Sequence, residues 1–304
     1  MILKELSIAF DTIFYKNLAL DWDKTGLSIG NTQKDIRKIL ITLDLTDSVL
    51  QEAIRAKVDL LLSHHPLLLE PIDSFLDTNS LGSKLLEIIK NGMAVYTAHT
   101  NYDIMPEGLN VIFAKKLGLA DIKSAYLEPA CATKAHLCEE NKLAEGGLGI
   151  IGELDIPVKL PVFFKKVKES LAISGFRWIA NKNQNKIPGK LLDKVATVMN
   201  DDLENKLVKK ILVINGSANS FTQRIAVSDF DCDVVIVGEL NYHSALEITE
   251  SEKIIIEIGH GDSEKFAVEG MYDILTRYFK ENGIKDIEVI KSKEGYKSWR
   301  YYIG

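Results

Sequence analysis

Cysteine is scarce, with three residues in a chain of 304. Cys131, Cys138 and Cys232 are too few for a disulfide framework, and none of them forms a C-x-x-C pair. They are expected to be reduced thiols, in a cytoplasmic setting. Proline is sparse as well, at seven residues, and the 20 glycines follow no regular spacing, which excludes collagen-like and proline-rich disordered chains. Long apolar runs are missing: none approaches the roughly 20 residues of a membrane span. The opening Met1-Ile2-Leu3-Lys4-Glu5 lacks the basic and then apolar regions of a signal peptide. An excess of positive charge is also absent. With 37 basic and 43 acidic residues the formal net charge is −6. No general basic field recruits nucleic acid, although a local patch stays open.

What is present is ordinary globular composition, 46% hydrophobic and 26% charged. At roughly 150 residues per domain, the length suits two domains or one large one. Leu3, Leu6, Phe10, Ile13 and Phe14 recur at helical spacing. Strands are expected at 38–43, 58–63 and 93–98. Helices are expected from Asp47 to Lys57, from Ser80 to a stop before Gly92, and from Pro106 to Gly118. This β-α alternation argues for largely parallel or mixed sheets covered by helices, an α/β fold. It returns near the end, with strands at 233–237 and 253–258, helices at 241–250 and 263–282, and short closing strands at 287–290 and 299–303. Between them lie a strand at 148–154, a helix at 161–174, a polar loop at 181–190, a charge-rich helix at 193–210 and a strand at 211–214. The expected organisation is a discontinuous lobe, 1–124 plus 229–304, with a second α/β lobe, 125–228, inserted into it. The second lobe carries a polar stretch near 181–210.

The six histidines carry the chemical signal. His64 and His65 follow one strand. His99 follows another, with Asp103 four positions on. Glu239 and His243 follow a third, and His260, with Glu264 four positions on, follows a fourth. Ligands of open α/β sheets bind outside the carboxyl ends of the strands, so these clusters can converge on one cleft. Adjacent residues of an extended chain point in opposite directions, and Pro66 keeps His65 extended. Two neighbouring imidazoles therefore suit two ions better than one. Residues at i and i+4 reach one side of a helix turn, as His260 and Glu264 would. Three imidazoles with two carboxylates make a shell for two divalent ions, and mixed N/O ligation admits zinc, iron, manganese, cobalt or nickel.

Each member also has a plainer reading. His64-His65-Pro66 alone is a hydrogen-bonded turn, Asp103 a cap before Pro106, and Glu264 a carboxylate opposing a helix dipole. His243 alone is a surface histidine, and His136 is assigned no role. The joint pattern is what exceeds chance. Asn215-Gly216-Ser217 could cradle a phosphate but lacks the P-loop pattern, so a tight turn is the better reading. Asp21-Trp22-Asp23 reads as a polar-aromatic turn, with Trp22 packing over the core. The basic-aromatic tail from Lys293 to Tyr302 reads as an edge hairpin in preference to a base-stacking surface.

Five segments together resemble the Nif-three-like family of dinuclear-metal proteins, often labelled GTP cyclohydrolase type 2 homologues. They are DWDKTGLSIG at 21–30, SHHPLLL at 63–69, YTAHTNYD at 96–103, VGELNYHSALE at 237–247 and IEIGHGDSE at 256–264. They run in the family's order and span nearly the whole chain. The resemblance implies two interleaved α/β lobes with a metal cleft at the carboxyl ends of the strands, and a toroidal homohexamer. It implies two divalent metal ions per subunit, held by His64, His65, Asp103, His260 and Glu264. His99 and Glu239 become candidates for orienting groups or transferring a proton. Lys24 stands where the family tends to have asparagine, and Tyr242 stands where it has the first of two histidines.

Two function classes follow. The first is a metal-dependent hydrolase of a nucleotide or other small molecule, for which purine-ring opening by water is one reaction the family label names. The second is a non-enzymatic metal-binding ring that serves as scaffold, regulator or metal-delivery protein. Single-stranded nucleic-acid binding is a third, disfavoured by the net charge, and no membrane partner is expected.

Overall fold

The parallel strands of this α/β chain fall into two separate sheets, each in its own compact unit. The computed structural model describes residues 1–125, 146–180, 201–226, 230–249 and 253–294. Unit 1 comprises Met1–Leu109 and Lys265–Gly304, and unit 2 comprises Asn110–Glu264.

In unit 1, β2 (Lys38–Thr42), β3 (Leu60–Ser63) and β4 (Ala94–Thr97) run parallel, with β11 (Glu288–Lys291) parallel on the far side of β2. β1 (Gly26–Ile29) closes the other edge antiparallel to β4. The sheet order is β1-β4-β3-β2-β11. All four residues of β3 and of β4 are buried, as strands covered on both faces must be. Helix α1 (Leu3–Ile13) buries Leu3, Leu6 and Phe10. Helices α2 (Asp47–Ala56) and α3 (Ser80–Lys90) supply Val49, Leu50, Ala53 and Ile88 to a core shared with Leu40, Leu61 and Val95 of the strands. Each of these two helices starts on a side-chain cap: Thr46 accepts from the Val49 N–H, and Asn79 from the Gly82 N–H. A short helix, α4 (Thr100–Ile104), follows β4, and α5 (Leu109–Lys116) begins beyond Pro106.

Unit 2 holds β5 (Ala120–Ser124), β6 (Ile150–Lys159), β7 (Arg177–Ile179), β8 (Leu207–Ser217), β9 (Val234–Glu239) and β10 (Ile254–Glu257) in the order β5-β6-β8-β9-β10-β7. β8, β9 and β10 are parallel, and their outer neighbours pair antiparallel. Its helices are α6 (Leu160–Leu171), α7 (Asp201–Asn205), α8 (Thr222–Ala226), α9 (Tyr242–Ile248) and α10 (His260–Glu264), and α11 (Ala267–Glu281) returns to unit 1. α11 buries Met271, Leu275 and Phe279 and packs on β2 and β11.

The chain divides at places other than those read from its composition. The strands at 234–239 and 254–257, expected in the lobe 1–124 plus 229–304, join the second sheet, where β9 pairs with β8 and β10 with β9. A shared α/β rhythm does not say which parallel strands hydrogen-bond to which. The charge-rich stretch 193–210 is helical at Asp201–Asn205, but β8 already starts at Leu207. The N–H groups of Lys209 and Lys210 donate to Asp233 Oδ2 at 2.8 and 2.9 Å, which anchors this end of β8 beside β9. The long helix expected from 263 to 282 is interrupted between α10 and α11, where the Ser263 hydroxyl donates back to the His260 carbonyl at 2.6 Å. Cys232 is a buried thiol, its pKa pushed up to about 11 by burial. Cys131, Cys138, His136, the polar loop at 181–190 and the tail from 295 onward lie outside the described residues. Among the described residues, no helix is long and apolar enough to cross a membrane.

Candidate metal centre

Unit 1 gathers its chemistry at the carboxyl edge of β2, β3 and β4. Thr42, Ser63 and Thr97 stand level across the three strands, so whatever follows each strand emerges at the same height. Asp44 follows β2, His64 and His65 follow β3, and His99 follows β4. The His64 and His65 N–H groups donate to the carbonyls of Thr42 and Leu43, extending the ladder past β3 and fixing both backbones.

Each of the three imidazoles has Nδ1 against an oxygen that can only accept. His64 Nδ1 donates to the Ala98 carbonyl at 2.9 Å, His65 Nδ1 to Asp44 at 2.7 Å, and His99 Nδ1 to Asp23 at 2.8 Å. In the neutral ring this sets the tautomer and leaves Nε2 with its lone pair, the arrangement metal-ligating histidines use. One donor atom from each of these three rings lies within 4.8 Å of the other two. His64 is fully buried, and Asp103 Oδ1, on the short helix α4, stands 3.6 Å from its Nε2.

Asp23 is the anchor of this cluster. Besides His99 it accepts from the Thr100 N–H at 3.0 Å and the Thr100 hydroxyl at 2.5 Å. Burial by itself raises its pKa. The hydrogen bond and charge of His99 and the hydrogen bonds from Thr100 outweigh burial and hold the carboxyl below the usual carboxylate range. Trp22, read as a core-packing residue, is 56% exposed and meets the His99 ring edge-on at 6.0 Å.

Unit 2 repeats the placement. Glu239 ends β9, His260 follows β10 and starts α10, and Glu264 ends that helix. His260 Nδ1 donates to Glu239 at 2.9 Å, and its Nε2 lies 3.1 Å from Oε2 of the buried Glu264. The Asn215-Gly216-Ser217 segment belongs to β8, where pairing with β9 is irregular between Ile214 and Ser217. Gly216 sits at φ +61°, and a Cβ there would fall 2.5 Å from Glu264 Oε1. Its N–H donates to the Ser263 hydroxyl at 2.9 Å. The missing side chain makes the space that Glu264 occupies.

Within unit 1 the structure brings His64, His65 and His99 together with Asp103 beside them. Within unit 2 it joins His260, Glu239 and Glu264. Sequence reading passed over Asp44 and gave Asp23 only a turn. The signal for both was present: an acidic residue just past a strand's carboxyl end, and two aspartates flanking an exposed tryptophan. His243 lies on α9, its ring edge-on to Tyr242.

The donor sets fit divalent ions chemically, being buried carboxylates and imidazoles whose Nδ1 atoms are held by oxygen acceptors. Comparison with known proteins gives a consistent picture. The family described as Duf34/NIF3 (NGG1p interacting factor 3) matches residues 1–295. A Clostridium perfringens protein named GTP cyclohydrolase 1 type 2 homolog is 28% identical over 282 residues, 91% of each chain. A Methanocaldococcus jannaschii protein of the same name is 28% identical over 274 residues, 90% of this chain and 94% of its own. Among solved structures, a Bacillus cereus protein related to NIF3 superposes with a TM-score of 0.80 at 21% identity, covering 99% of both chains. Reduced HcgD from Methanocaldococcus jannaschii gives 0.69 at 26% identity, covering 97% of this chain and 98% of that one.

Proposed function

The chain belongs to the Duf34/NIF3 family, and from that premise we propose that it is a dinuclear divalent-metal protein that hydrolyses a nucleotide or another small molecule. We assign the ligand roles to His64, His65 and Asp103 of unit 1 and to His260 and the buried Glu264 of unit 2, which would hold the two ions. Zinc, iron, manganese, cobalt and nickel all suit this donor set. The observation that carries the reading is the shared support of the imidazoles: His64, His65, His99 and His260, all placed past strand ends, each have Nδ1 held by an oxygen acceptor.

Bound ions would supply Lewis acidity and a water acidified to a pKa of about 7. The chain's own groups do the rest. Ala98, Asp44 and Glu239 hold the ring orientations of His64, His65 and His260, so no reorganisation is needed at the moment of reaction. Proton transfer falls to His99, held by Asp23, or to Glu239, an exposed carboxylate within hydrogen-bonding distance of His260. The name carried by the relatives supports a purine-ring hydrolysis as one candidate reaction. The family resemblance also supports a toroidal homohexamer, for which light scattering would give six times the 34.0 kDa chain mass.

Elemental analysis of untagged protein purified without chelator tests the reading. About two ions per chain are expected. The paired substitution His64→Ala and His65→Ala should remove most of that metal while circular dichroism stays native. A wild-type chain that stays metal-free after incubation with divalent ions would end the hydrolase reading. A metal-loaded chain that turns over no nucleotide or related ester would favour the non-enzymatic metal-binding ring.

A further inference from the structure

Unit 2 carries a cavity of about 570 Å³ whose walls include Asn219, Gln223, Asn241, Tyr242, His243 and Glu247. That volume is within the range of small-molecule sites. It opens where β8 and β9 end. Ser217 and Glu239 are register partners on those strands, and the cavity residues Asn219 and Asn241 each follow two positions later. Asn241 of the cavity wall thus lies two residues past Glu239, whose carboxylate holds His260.

Its floor is built. The Asn241 N–H donates to Asn219 Oδ1 at 2.7 Å, Asn219 Nδ2 donates to Ser217 Oγ at 2.8 Å, and the Ser244 N–H donates to Asn241 Oδ1 at 2.9 Å. Beside this rigid floor stands Tyr242, 75% exposed. The His243 ring meets it edge-on, with centroids 5.4 Å apart and planes at 76°. The wall thus offers an open aromatic face, an imidazole, carboxamides and hydroxyls. Among the described residues its one charged member is Glu247, and it has no lysine or arginine. Such a surface selects a flat, uncharged ring with donors and acceptors along its edge. Stacking uses the tyrosine face, and the edge is read by hydrogen bonds. A phosphate finds no cation here.

We infer that this cavity, formed past the carboxyl ends of β8 and β9, seats the heteroaromatic ring of the substrate, stacked on Tyr242. The inference rests on the hydrolase reading above and narrows its substrate to a compound with a neutral nitrogen heterocycle.

The test uses the full-length, metal-loaded protein and free nucleosides, guanosine and cytidine, which carry the ring without phosphate. Glucose and inorganic phosphate are the comparison probes. Binding is measured by saturation-transfer NMR and calorimetry for the wild type, Tyr242→Ala and Tyr242→Phe, with metal content determined for each. Nucleosides should bind the wild type. Tyr242→Ala should weaken them by about tenfold or more, whereas Tyr242→Phe, which keeps the stacking face, should stay within about threefold. Metal content should be the same in all three. Nucleoside binding that ignores Tyr242→Ala overturns the inference, as does a wild type that binds only glucose or phosphate, or none of the probes. The two readings fail separately. A protein that keeps its metal and hydrolyses a substrate without binding nucleosides defeats only the cavity. One that binds nucleosides through Tyr242 but holds no metal defeats only the hydrolase reading.

Discussion

At the scale of single residues, the orientation of the imidazoles depends on the acceptors that hold their Nδ1 atoms. Asp44, Asp23, Glu239 and the Ala98 carbonyl each take one imidazole N–H and so decide which nitrogen is left as a donor. Gly216 acts by having no side chain. Its φ of +61° would strain an alanine there, and the 2.5 Å separation between a built Cβ and Glu264 Oε1 would require the carboxylate to shift. Gly216→Ala is therefore expected to cost about 1–3 kcal/mol in strain and to displace the Glu264 carboxylate. Urea unfolding and elemental analysis should both move. A variant with wild-type stability and full metal content would show that Glu264 does not need this space.

At the scale of elements, short strands with abrupt polar ends do the positioning. β3 is four residues long and buried throughout, and the two histidines begin where its apolar run stops. The helices that cover this sheet are begun by side chains. Thr46 accepts the Val49 N–H at the start of α2, whose Val49, Leu50 and Ala53 pack on the strands. Thr46→Ala should lower unfolding stability by about 1 kcal/mol, with native circular dichroism and unchanged metal content. A larger loss, or a loss of metal, would mean that the start of α2 does more than cover the core. Much of this level was legible in the sequence: β2, β3, β4, β9, β10 and the helices α2, α3 and α6 lie where periodicity and stop signals put them. Short elements such as α4, β1 and β7 escaped it. Three to five residues give too little periodicity to read, and tertiary partners stabilise such pieces.

At the scale of the molecule, unit 1 carries four parallel strands and unit 2 three, and in both sets an aspartate ties neighbouring strands at the opposite edge from the histidines. Asp59 accepts the N–H groups of Arg37 and Lys38 at 2.9 and 3.1 Å, as Asp233 does for Lys209 and Lys210. Asp59 also pairs with Lys34 at 2.7 Å. Burial raises its pKa, but the Lys34 hydrogen bond, the two backbone N–H groups and the Lys34 charge together leave it lowered. A carboxyl held below its unfolded value stabilises the fold above that value, and the contribution fades as pH falls through the folded one. Asp59→Asn should therefore melt below the wild type at pH 7, by the equivalent of about 1 kcal/mol or less for a partly exposed pair. The difference should shrink on acidification below about pH 4. Thermal melts across that range would show it, and a difference that grows in acid would mean the wrong sign for Asp59.

The sequence by itself determined the α/β class, the family, and the residue types waiting at the strand ends, because local hydrophobic periodicity and short contiguous motifs are written along the chain. Through the family resemblance its motifs point to His64, His65, Asp103, His260 and Glu264 as candidate ligands, with His99 and Glu239 as candidates beside them. Tertiary structure alone decided that β9 and β10 join the second sheet, since strand pairing is a contact between distant segments with interchangeable apolar faces. It alone decided which acceptor holds each imidazole, because Asp44 and His65, 21 positions apart, meet only through the register of β2 and β3. And it alone turned Gly216 from a turn residue into the hollow that admits Glu264, a steric fact that exists only once two strands and a helix have packed.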